Sequence, residues 1–203
     1  EAVKWVRKAA EQGNAEAQFG LGLMYYRGEG VTKDWAEAVN WYRKAAEQGL
    51  AKAQCHLGVM YYNGKGVAKD PGEAVKWVRK AAEQGYAEAQ YILGDMYYSG
   101  EGVAKDWVKA VNWYRKAAEQ GHAPAQFGLG VMYYRGEGVA KDWAEAVNWY
   151  RKAAEQGYAD AQYDLAGMYY RGEGVAKDWA KGLNWYCKAA YTKGIVFLLK
   201  KLQ

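Results

Sequence analysis

The chain has 203 residues, 51% of them hydrophobic, and a formal net charge of +5 from interspersed basic and acidic side chains. The longest apolar run, Ile195–Leu199, has five residues, far fewer than the roughly 18 that suggest a membrane span. Because no block of like charge stands out either, we expect neither a membrane span nor a nucleic-acid partner.

A repeat of 36 residues organises the sequence. Glycine, tryptophan and aspartate each recur at this interval without an insertion, beginning at Gly13, Trp5 and Asp34. A fixed period in this range is typical of a solenoid, in which each unit buries its apolar face against its neighbours. We therefore predict a single array with a half repeat at 1–13, five repeats at 14–49, 50–85, 86–121, 122–157 and 158–193, and a capping segment at 194–203.

Each repeat predicts a helix, a glycine-containing loop, a second helix and a tight turn. In the first repeat, Ala15–Tyr26 has small and apolar residues at three- and four-residue intervals, which indicates helix A. The loop Arg27–Lys33 contains two glycines that can adopt positive φ. Trp35–Gln48 is predicted as helix B, and Gly49 ends it. The predicted fold class is all-α, a solenoid of antiparallel helix pairs.

The start of helix B carries a capping signal. Asp34 precedes the helix as an N-cap, and Glu37 follows three residues later, as in a capping box. Lys109 and Lys181 replace that glutamate in the third and fifth repeats, which keep the aspartate and lose the box. Pro71 directly follows the cap in the second repeat, where proline costs little.

One position of helix A stays small in every repeat, although glycine in a helix costs about 1 kcal/mol relative to alanine. We interpret it as a close approach of two helices, where a larger group would clash; a hinge is the alternative. The position holds Gly22, Gly58, Gly94, Gly130 and Ala166.

The C-terminus departs from the repeat. Tyr191, Thr192 and Lys193 stand where Glu-Gln-Gly is expected, and Gly194 follows. Residues 195–203 are predicted to form a short apolar helix that shields the last open face, because a terminal repeat has no neighbour to cover it. A weak dimer through this segment is the alternative to a monomer.

The reactive side chains argue against an enzyme. Cys55 and Cys187 lie several repeats apart, so we expect two free thiols. His56 and His122 occupy different repeat positions, which disfavours a metal site or an acid–base pair, and no metal or cofactor is predicted. Cys55 and His56 are adjacent, but neighbouring helical residues diverge by about 100°.

The glycine and aromatic motifs have structural interpretations. The Gly-x-Gly of each loop, such as Gly28-Glu29-Gly30, lacks the preceding strand and the lysine spacing of a phosphate-binding loop, so it is predicted to be a turn. The tryptophans and tyrosines recur with the spacing of the core. We therefore predict them to pack in the core and between repeats rather than to stack on bases.

Comparison of the five repeats with one another separates constant from variable positions. Four helix A positions vary most, and their spacing of four, three and four residues places them on a stripe about 60° wide. Apolar members such as Ile92 favour a binding stripe over the neutral drift of a solvent-exposed face. Tyr91 is a candidate aromatic anchor, Gly128 is expected to open a pocket beside Ile92, and Asp95 predicts a basic partner residue. The candidate partner-binding residues are His56, Val59, Asn63, Tyr91, Ile92, Asp95, Ser99, Gly128, Val131, Arg135, Asp164 and Arg171.

The segments AEAQ, LG-x-MYY, GEGV, KD and WYRKAAEQG recur in this order, and the whole pattern resembles the Sel-one-like repeat family, relatives of the tetratricopeptide repeats. The resemblance covers nearly the whole chain. It implies a right-handed superhelix in which helix A lines a concave surface, and a bacterial adaptor or binding module. Some relatives are immunity proteins. Some secreted relatives carry a disulfide within each repeat, for which this chain lacks the cysteine pairs.

We therefore predict a non-enzymatic scaffold that binds a protein or peptide in the concave groove of the A helices, centred on the second to fourth repeats. Two alternatives remain, an immunity or inhibitor protein that blocks one toxin enzyme and a cell-wall-associated hydrolase. Because the chain opens inside a repeat, a signal peptide could precede residue 1, and the bacterial cytoplasm and periplasm are both open.

Overall fold

The computed structural model describes the backbone of residues 2–201 and the side chains of residues 3–194. Within residues 2–201 the chain forms eleven α-helices and no strand, which confirms the predicted all-α class. The helices are α1 (Ala2–Glu11), α2 (Ala15–Arg27), α3 (Trp35–Glu47), α4 (Ala51–Asn63), α5 (Pro71–Glu83), α6 (Ala87–Ser99), α7 (Trp107–Glu119), α8 (Ala123–Arg135), α9 (Trp143–Glu155), α10 (Ala159–Arg171) and α11 (Trp179–Lys201).

The helices pack as pairs within two compact units, unit 1 (Glu1–Lys105) and unit 2 (Asp106–Gln203). In unit 1, α2 packs against α3 and α4 packs against α5; in unit 2, α8 packs against α9 and α10 packs against α11. Each pair joins a helix A to the helix B that follows it, as predicted for an α-solenoid. Within a unit, each helix B that precedes another helix A also contacts it, as α3 contacts α4.

The predicted capping residues define the start of each helix B. Oδ1 of Asp34 accepts hydrogen bonds from the backbone N–H groups of Ala36 (2.9 Å) and Glu37 (3.1 Å), two of the donors that a helix start leaves unpaired. Where lysine replaces the glutamate, its ammonium group turns back to the cap: Lys109 lies 3.1 Å from a carboxylate oxygen of Asp106. The backbone N–H of Asp34 donates to the carbonyl oxygen of Tyr25 at 3.0 Å, so the predicted capping box keeps its N-cap but lacks the reciprocal bond from Glu37. The third repeat adds an ion pair to the same cap.

The small position of helix A is a close helix–helix approach. A Cβ at Gly22 would lie 2.6 Å from the ring of Tyr42, a distance at which the ring would have to move. The fifth repeat has Ala166 at this position and a glycine on the opposing helix, where a Cβ at Gly182 would lie 3.1 Å from the Ala166 carbonyl oxygen. The small residue is therefore required by packing density at the helix crossing.

The tryptophans at 36-residue intervals, which we call the tryptophan ladder, are less deeply buried than the predicted core position requires, although Trp77 and Trp185 pack against buried cores. The ladder consists of Trp5, Trp41, Trp77, Trp113, Trp149 and Trp185. Of the ladder residues, only Trp41 is buried, at 9% exposure; Trp5 is 65% exposed, and the other four are half-buried. From Trp41 onward, each ladder ring carries the ammonium group of the lysine three residues later, at 4.0–4.3 Å from the ring centre. A lysine on the ring face covers apolar surface while its charge stays in water, so these rings need not be buried.

Two repeated hydrogen bonds join successive helices. In the first, the arginine of one helix B donates to the hydroxyl of the tyrosine that follows methionine in the next helix A. The distance is 2.8–3.2 Å at five places, beginning with Arg7 and Tyr25. This bond explains why the arginine and the tyrosine do not vary among those repeats. It also assigns that tyrosine to the constant contacts that hold successive helices together, which we call the frame of the array, and not to its binding surface.

In the second, buried glutamines bridge the helices. Gln18 donates to the backbone carbonyl of Ala10 at 3.1 Å and accepts from Gln48 at 2.7 Å, and equivalent bonds recur along both units. In the last repeat, Thr192 replaces the donor and bonds Gln162 at 3.2 Å. A buried amide needs such partners, so this position is fixed by hydrogen bonding.

The C-terminal segment does not form the separate short helix that we predicted. Helix α11 continues through Gly194 to Lys201 without a break. The earlier repeats end helix B with a glycine at positive φ, and Lys193 stands at that position, where the left-handed conformation is costly, so the helix continues. The side chains of residues 195–203 lie outside the described residues, and shielding or dimerisation by this segment stays a prediction.

Candidate functional site

In unit 1, residues of the predicted variable stripe line one cleft. It has a volume of about 430 Å³ and is lined by residues of α4 and α6. Five of its residues belong to the predicted stripe: Val59, Asn63, Ile92, Asp95 and Ser99. The other three, Tyr62, Met96 and Tyr98, are constant among the repeats.

Helical periodicity explains why these residues converge. Ile92, Asp95 and Ser99 are separated by three and four residues, so they follow one face of α6. Leu93, one residue on from Ile92, points about 100° away around the helix and is fully buried. The sequence therefore divides helix A into a core face that cannot vary and a cleft face that can.

The cleft has an apolar floor and polar edges, and the polar side chains donate hydrogen bonds to the backbone of their own helices. The side-chain amide of Asn63 donates to the backbone carbonyl of Val59 at 2.9 Å. The hydroxyl of Ser99 donates to the carbonyl of Asp95 at 2.9 Å and accepts from the N–H of Glu101 at 3.3 Å. With the carboxylate of Asp95, these side chains make the edge rich in hydrogen-bond acceptors.

A charged cluster adjoins the cleft. The hydroxyl of Tyr62 donates to one carboxylate oxygen of Glu101, and the ammonium group of Lys69 lies 3.1 Å from the other. The hydrogen bond from Tyr62, assisted by Lys69, lowers the pKa of the Glu101 carboxyl, and the same bond raises the pKa of Tyr62. Glu101 is thus ionised and already balanced by a lysine of the chain.

Unit 2 contains a recess at equivalent positions, 72 residues further along the chain. It measures about 170 Å³, and Tyr134, Asp164, Gly167, Met168 and Arg171 line it together with three further tyrosines. Here Arg171 folds over Gly167: its Nη1 lies 2.9 Å from the place where a Cβ on that glycine would be, and its Nη2 lies 2.8 Å from the carboxylate of Glu173. Burial, with help from Asp160, raises the pKa of Asp164.

Five of the predicted partner-binding residues lie outside both linings, and three of these pack within their own units. His56 contacts the rings of Phe19 and Tyr42, with centroids 5.1 and 5.4 Å away. A Cβ at Gly128 would lie 3.5 Å from the ring of Tyr114, so a ring stands where we expected an open pocket. Val131 packs against the buried core of unit 2.

Arg135, predicted from the stripe, and Tyr91, predicted as an anchor beside it, are likewise absent from both linings. Tyr91 is half-buried on α6, at the position that Phe19 and Phe127 hold in other repeats. Arg135 is exposed at the end of α8 and lies 3.9 Å from a carboxylate oxygen of Glu137.

Comparison of the repeats missed the three constant lining residues, Tyr62, Met96 and Tyr98. The comparison reported variation only, and these residues do not vary. Helical projection offers the signal that could have found them, because Tyr62 follows Val59 by three residues and Met96 follows Ile92 by four.

The side chains that could support catalysis have structural surroundings. Cys55 is buried, which raises the pKa of its thiol to about 12, and Cys187 is exposed; both thiols are free. Burial lowers the pKa of His56, which packs against aromatic rings. Among the described residues, no cluster of three or more histidine, cysteine, aspartate or glutamate side chains could hold a metal ion, and no helix is long and apolar enough to cross a membrane.

The Sel1 repeat family model matches the chain at residues 1–14, 15–50, 51–86, 87–122, 123–158 and 159–191. The chain belongs to the Sel1 repeat family. Sel1 repeat proteins are generally non-catalytic protein-interaction scaffolds, and the resemblance seen in the sequence is confirmed. No curated protein matches the chain significantly.

Solved structures of Sel1 repeat proteins are similar to this chain. A protective antigen of uropathogenic Escherichia coli is 49% identical, with a TM-score of 0.90 over 94% of this chain and 41% of its own. A Sel1 repeat protein from Oxalobacter formigenes is 43% identical, with a TM-score of 0.85 over 91% of this chain and 74% of its own. An immunity protein from Pseudomonas aeruginosa is 25% identical, with a TM-score of 0.61 over 94% and 73%. This chain thus spans less than half the length of the E. coli antigen.

Proposed function

We propose that the chain is a non-enzymatic scaffold that binds a protein or peptide through the variable face of its A helices, with the unit 1 cleft as the principal anchor. One observation carries the proposal: five residues that differ from repeat to repeat converge on one open cleft, while the neighbouring constant residues hold the frame. Sequence variation is thus concentrated where a partner would touch.

The chemistry of the cleft is suited to an interface. Val59, Ile92 and Met96 provide an apolar centre, and Asn63, Asp95 and Ser99 provide polar edges. Binding energy at protein interfaces concentrates in a few side chains that fill such pockets, with a polar rim around them. A partner side chain seated here would be largely removed from water, so this cleft should contribute more than the exposed remainder of the stripe.

An inhibitor of one enzyme is the second candidate. It is favoured by the likeness to the P. aeruginosa immunity protein, which has 25% identity over 94% of this chain. A cell-wall hydrolase has less support, because the Ser99 hydroxyl donates to its own helix and burial raises the pKa of the Cys55 thiol to about 12. Neither side chain is activated as a nucleophile.

The test begins with affinity capture from a bacterial lysate, followed by calorimetric titration of the purified partner. Ile92→Asp and Tyr91→Ala should each weaken binding by over about 1 kcal/mol. Ile92→Asp should retain the fold, because the fifth repeat carries Asp164 at the same position. Lys109→Ala and Asn148→Ala, both on helix B, are the controls.

The outcomes separate the candidates. One-to-one binding to a single enzyme with loss of that enzyme's activity would identify an inhibitor, and binding without inhibition would identify an adaptor. If the helix B substitutions abolished binding while the stripe substitutions left it intact, the A-helix surface would not be the binding site and the proposal would fail.

A further inference from the structure

We propose that an apolar face of α11 binds a second copy of the chain, so that two copies pair through this helix about a twofold axis. The face belongs to unit 2 and contains none of the residues of the unit 1 cleft, so this inference goes beyond the proposed function. This α11 face consists of Trp179, Leu183, Cys187, Ala190, Tyr191 and Gly194.

Helical spacing places these six residues on one side of α11. At about 100° per residue they fall within an arc about 120° wide, which is the width of the apolar stripe on an amphipathic helix. All six are exposed, including Leu183 at 56% and Tyr191 at 72%. Within the described residues 179–194, no charged side chain falls in this arc. The helix therefore presents an apolar surface to solvent over about four turns.

The equivalent face is covered in the preceding helix B of unit 2. Val147 and Ala154 of α9 occupy the positions of Leu183 and Ala190, and both are buried in the core that Leu165 of α10 completes. Within the described residues no helix A follows α11, which packs against α10. A surface that holds a helix in the fourth repeat is thus open in the fifth.

The sequence of α11 departs from the other B helices on this face. Leu183 stands where the five preceding B helices have valine, Cys187 where they have arginine, and Tyr191 where they have glutamate. Each departure removes a charge or enlarges an apolar group. A terminal repeat that faces water needs a polar outer surface, whereas this one is less polar than the internal repeats. An exposed apolar face of this kind is typical of an interface.

A further Sel1 repeat is a poor fit to the α11 face. In the preceding B helices, the arginine donates to a tyrosine of the next helix A, as Arg151 does to Tyr169 at 3.1 Å. Cys187 replaces that donor with a thiol, which is a weak donor. The glycine at positive φ that ends the other B helices, such as Gly157, is replaced by Lys193. The last helix B thus lacks both features that place a following helix A.

The same departures suit the face to a second copy. In a twofold contact, a residue near the axis meets the same residue of the other copy. Arginine at position 187, near the middle of the face, would place like charges together, and Cys187 removes that repulsion. Cys187, Ala190 and Gly194 are small and allow two helices to approach closely. A Cβ on Gly194 would have nothing within 4 Å, so the second helix has room on this side.

The lysines of α11 leave the face neutral. The ammonium nitrogen of Lys181 lies 3.2 Å from a carboxylate oxygen of Asp178, and that of Lys193 lies 3.1 Å from one of Asp160. Lys188 lies over a tryptophan ring, 4.2 Å from its centre, on the other side of the helix. The face therefore offers a strongly charged partner no complementary charge, and its own uncharged copy matches it.

The test measures the oligomeric state of the full chain by analytical ultracentrifugation over a range of concentrations. The mass of the unaltered chain should approach twice that of one copy as the concentration rises. Leu183→Asp and Cys187→Arg should each raise the dissociation constant of the dimer at least about tenfold, because a twofold contact contains every substitution twice. Both variants should fold, since Leu183 is exposed and the other B helices carry arginine at the position of Cys187.

The matched control is Val108→Asp, because Val108 on α7 is 58% exposed and lies outside the α11 face. This variant should leave the dissociation constant unchanged, and circular dichroism with thermal melting verifies that each variant is folded. A short bismaleimide should join two copies through Cys187, and Cys187→Ser should abolish the linked product. Cys55 is buried and should not react.

The outcomes decide the inference. A chain that stays monomeric into the millimolar range would overturn it, as would a dimer that Leu183→Asp and Cys187→Arg leave intact. A dimer that the bismaleimide does not link would reject pairing through α11. A monomer that binds a different protein through Leu183 would assign the face to that protein and equally reject the pairing of copies.

Discussion

The clefts of unit 1 and unit 2 have the same tyrosine and methionine in their linings and differ in the side chains at the other equivalent positions. Both have a tyrosine on one helix A and a methionine on the next, at equivalent positions. In unit 2, Arg171 folds inward over Gly167, whereas Ser99 and Asp95 leave the unit 1 cleft open with an acidic edge. A few side chains can thus accompany a change in cleft volume from about 170 to about 430 Å³ between two helix pairs with the same pattern of helices.

The frame tolerates this change because the constant residues are used elsewhere. The arginine–tyrosine bonds and the buried glutamines fix helix B against the next helix A in both units. None of these residues lines the open cleft. Substitution of the variable residues that line the open cleft should consequently alter binding while the free energy of unfolding stays nearly constant. Substitution of the arginines, tyrosines and glutamines that make these bonds should do the reverse.

The largest expected effect tests whether both units depend on the same frame. Gly66→Ala and Gly174→Ala should each lower the free energy of unfolding by over about 3 kcal/mol. Each glycine has positive φ, and an added Cβ would lie 2.2 Å from a backbone carbonyl oxygen of the preceding helix B. Gly49→Ala and Gly157→Ala share the positive φ but have nothing within 4 Å, so about 1–2 kcal/mol is expected. Urea unfolding measures all four, and a similar loss at every site would contradict the crowding argument.

A smaller effect tests the burial ranking of the tryptophans within unit 2. Trp113→Ala should cost about 2 kcal/mol, less than the roughly 3–5 kcal/mol for a fully buried tryptophan, because Trp113 is half-buried beneath Lys116. Trp143 is 38% exposed, and Trp143→Ala should cost less. Equal losses in the denaturant midpoint would refute the ranking.

The smallest expected effect is a pH dependence of stability that His56 should give to unit 1. Burial lowers the pKa of His56 below its usual 6.5, so the unfolded chain takes up the proton more readily than the folded chain. Stability should therefore fall as the pH drops below about 6.5 and level off once the folded chain is protonated too. His56→Ile, with the residue of the third repeat, should flatten the thermal midpoint between pH 7 and 5 relative to the unaltered chain, as differential scanning calorimetry would measure; identical profiles would exclude this role for His56.

Sequence comparison predicted the frame well because its signals are local. Asp34 and Gly49 mark the ends of helix B through backbone chemistry, and the small residue at Gly22 indicated a helix crossing. The positions of Val59, Asn63, Ile92, Asp95 and Ser99 on one stripe also followed from helical spacing, and these residues do share a cleft.

The sequence could not reveal how individual side chains turn. His56 lies on the same stripe, but the rings of Phe19 and Tyr42 hold it outside the cleft, a contact between helices that periodicity does not encode. The same holds for Arg171, whose fold over Gly167 depends on the carboxylate of Glu173. The tryptophan ladder misled for a related reason, because apolar periodicity does not reveal that a lysine can cover a ring and leave it half-exposed.

The most direct measurement exchanges the two clefts. In the triple variant Asp164→Ile, Gly167→Asp and Arg171→Ser, unit 2 carries the unit 1 residues at the three coinciding positions that differ. Titration of the ¹⁵N-labelled variant with the captured partner should then shift backbone signals at positions 167 and 171 in addition to those of Asp95 and Ser99. The same variant combined with Ile92→Asp should bind the partner only in unit 2. A triple variant that folds and gains no second site would contradict the claim that these side chains decide which cleft binds.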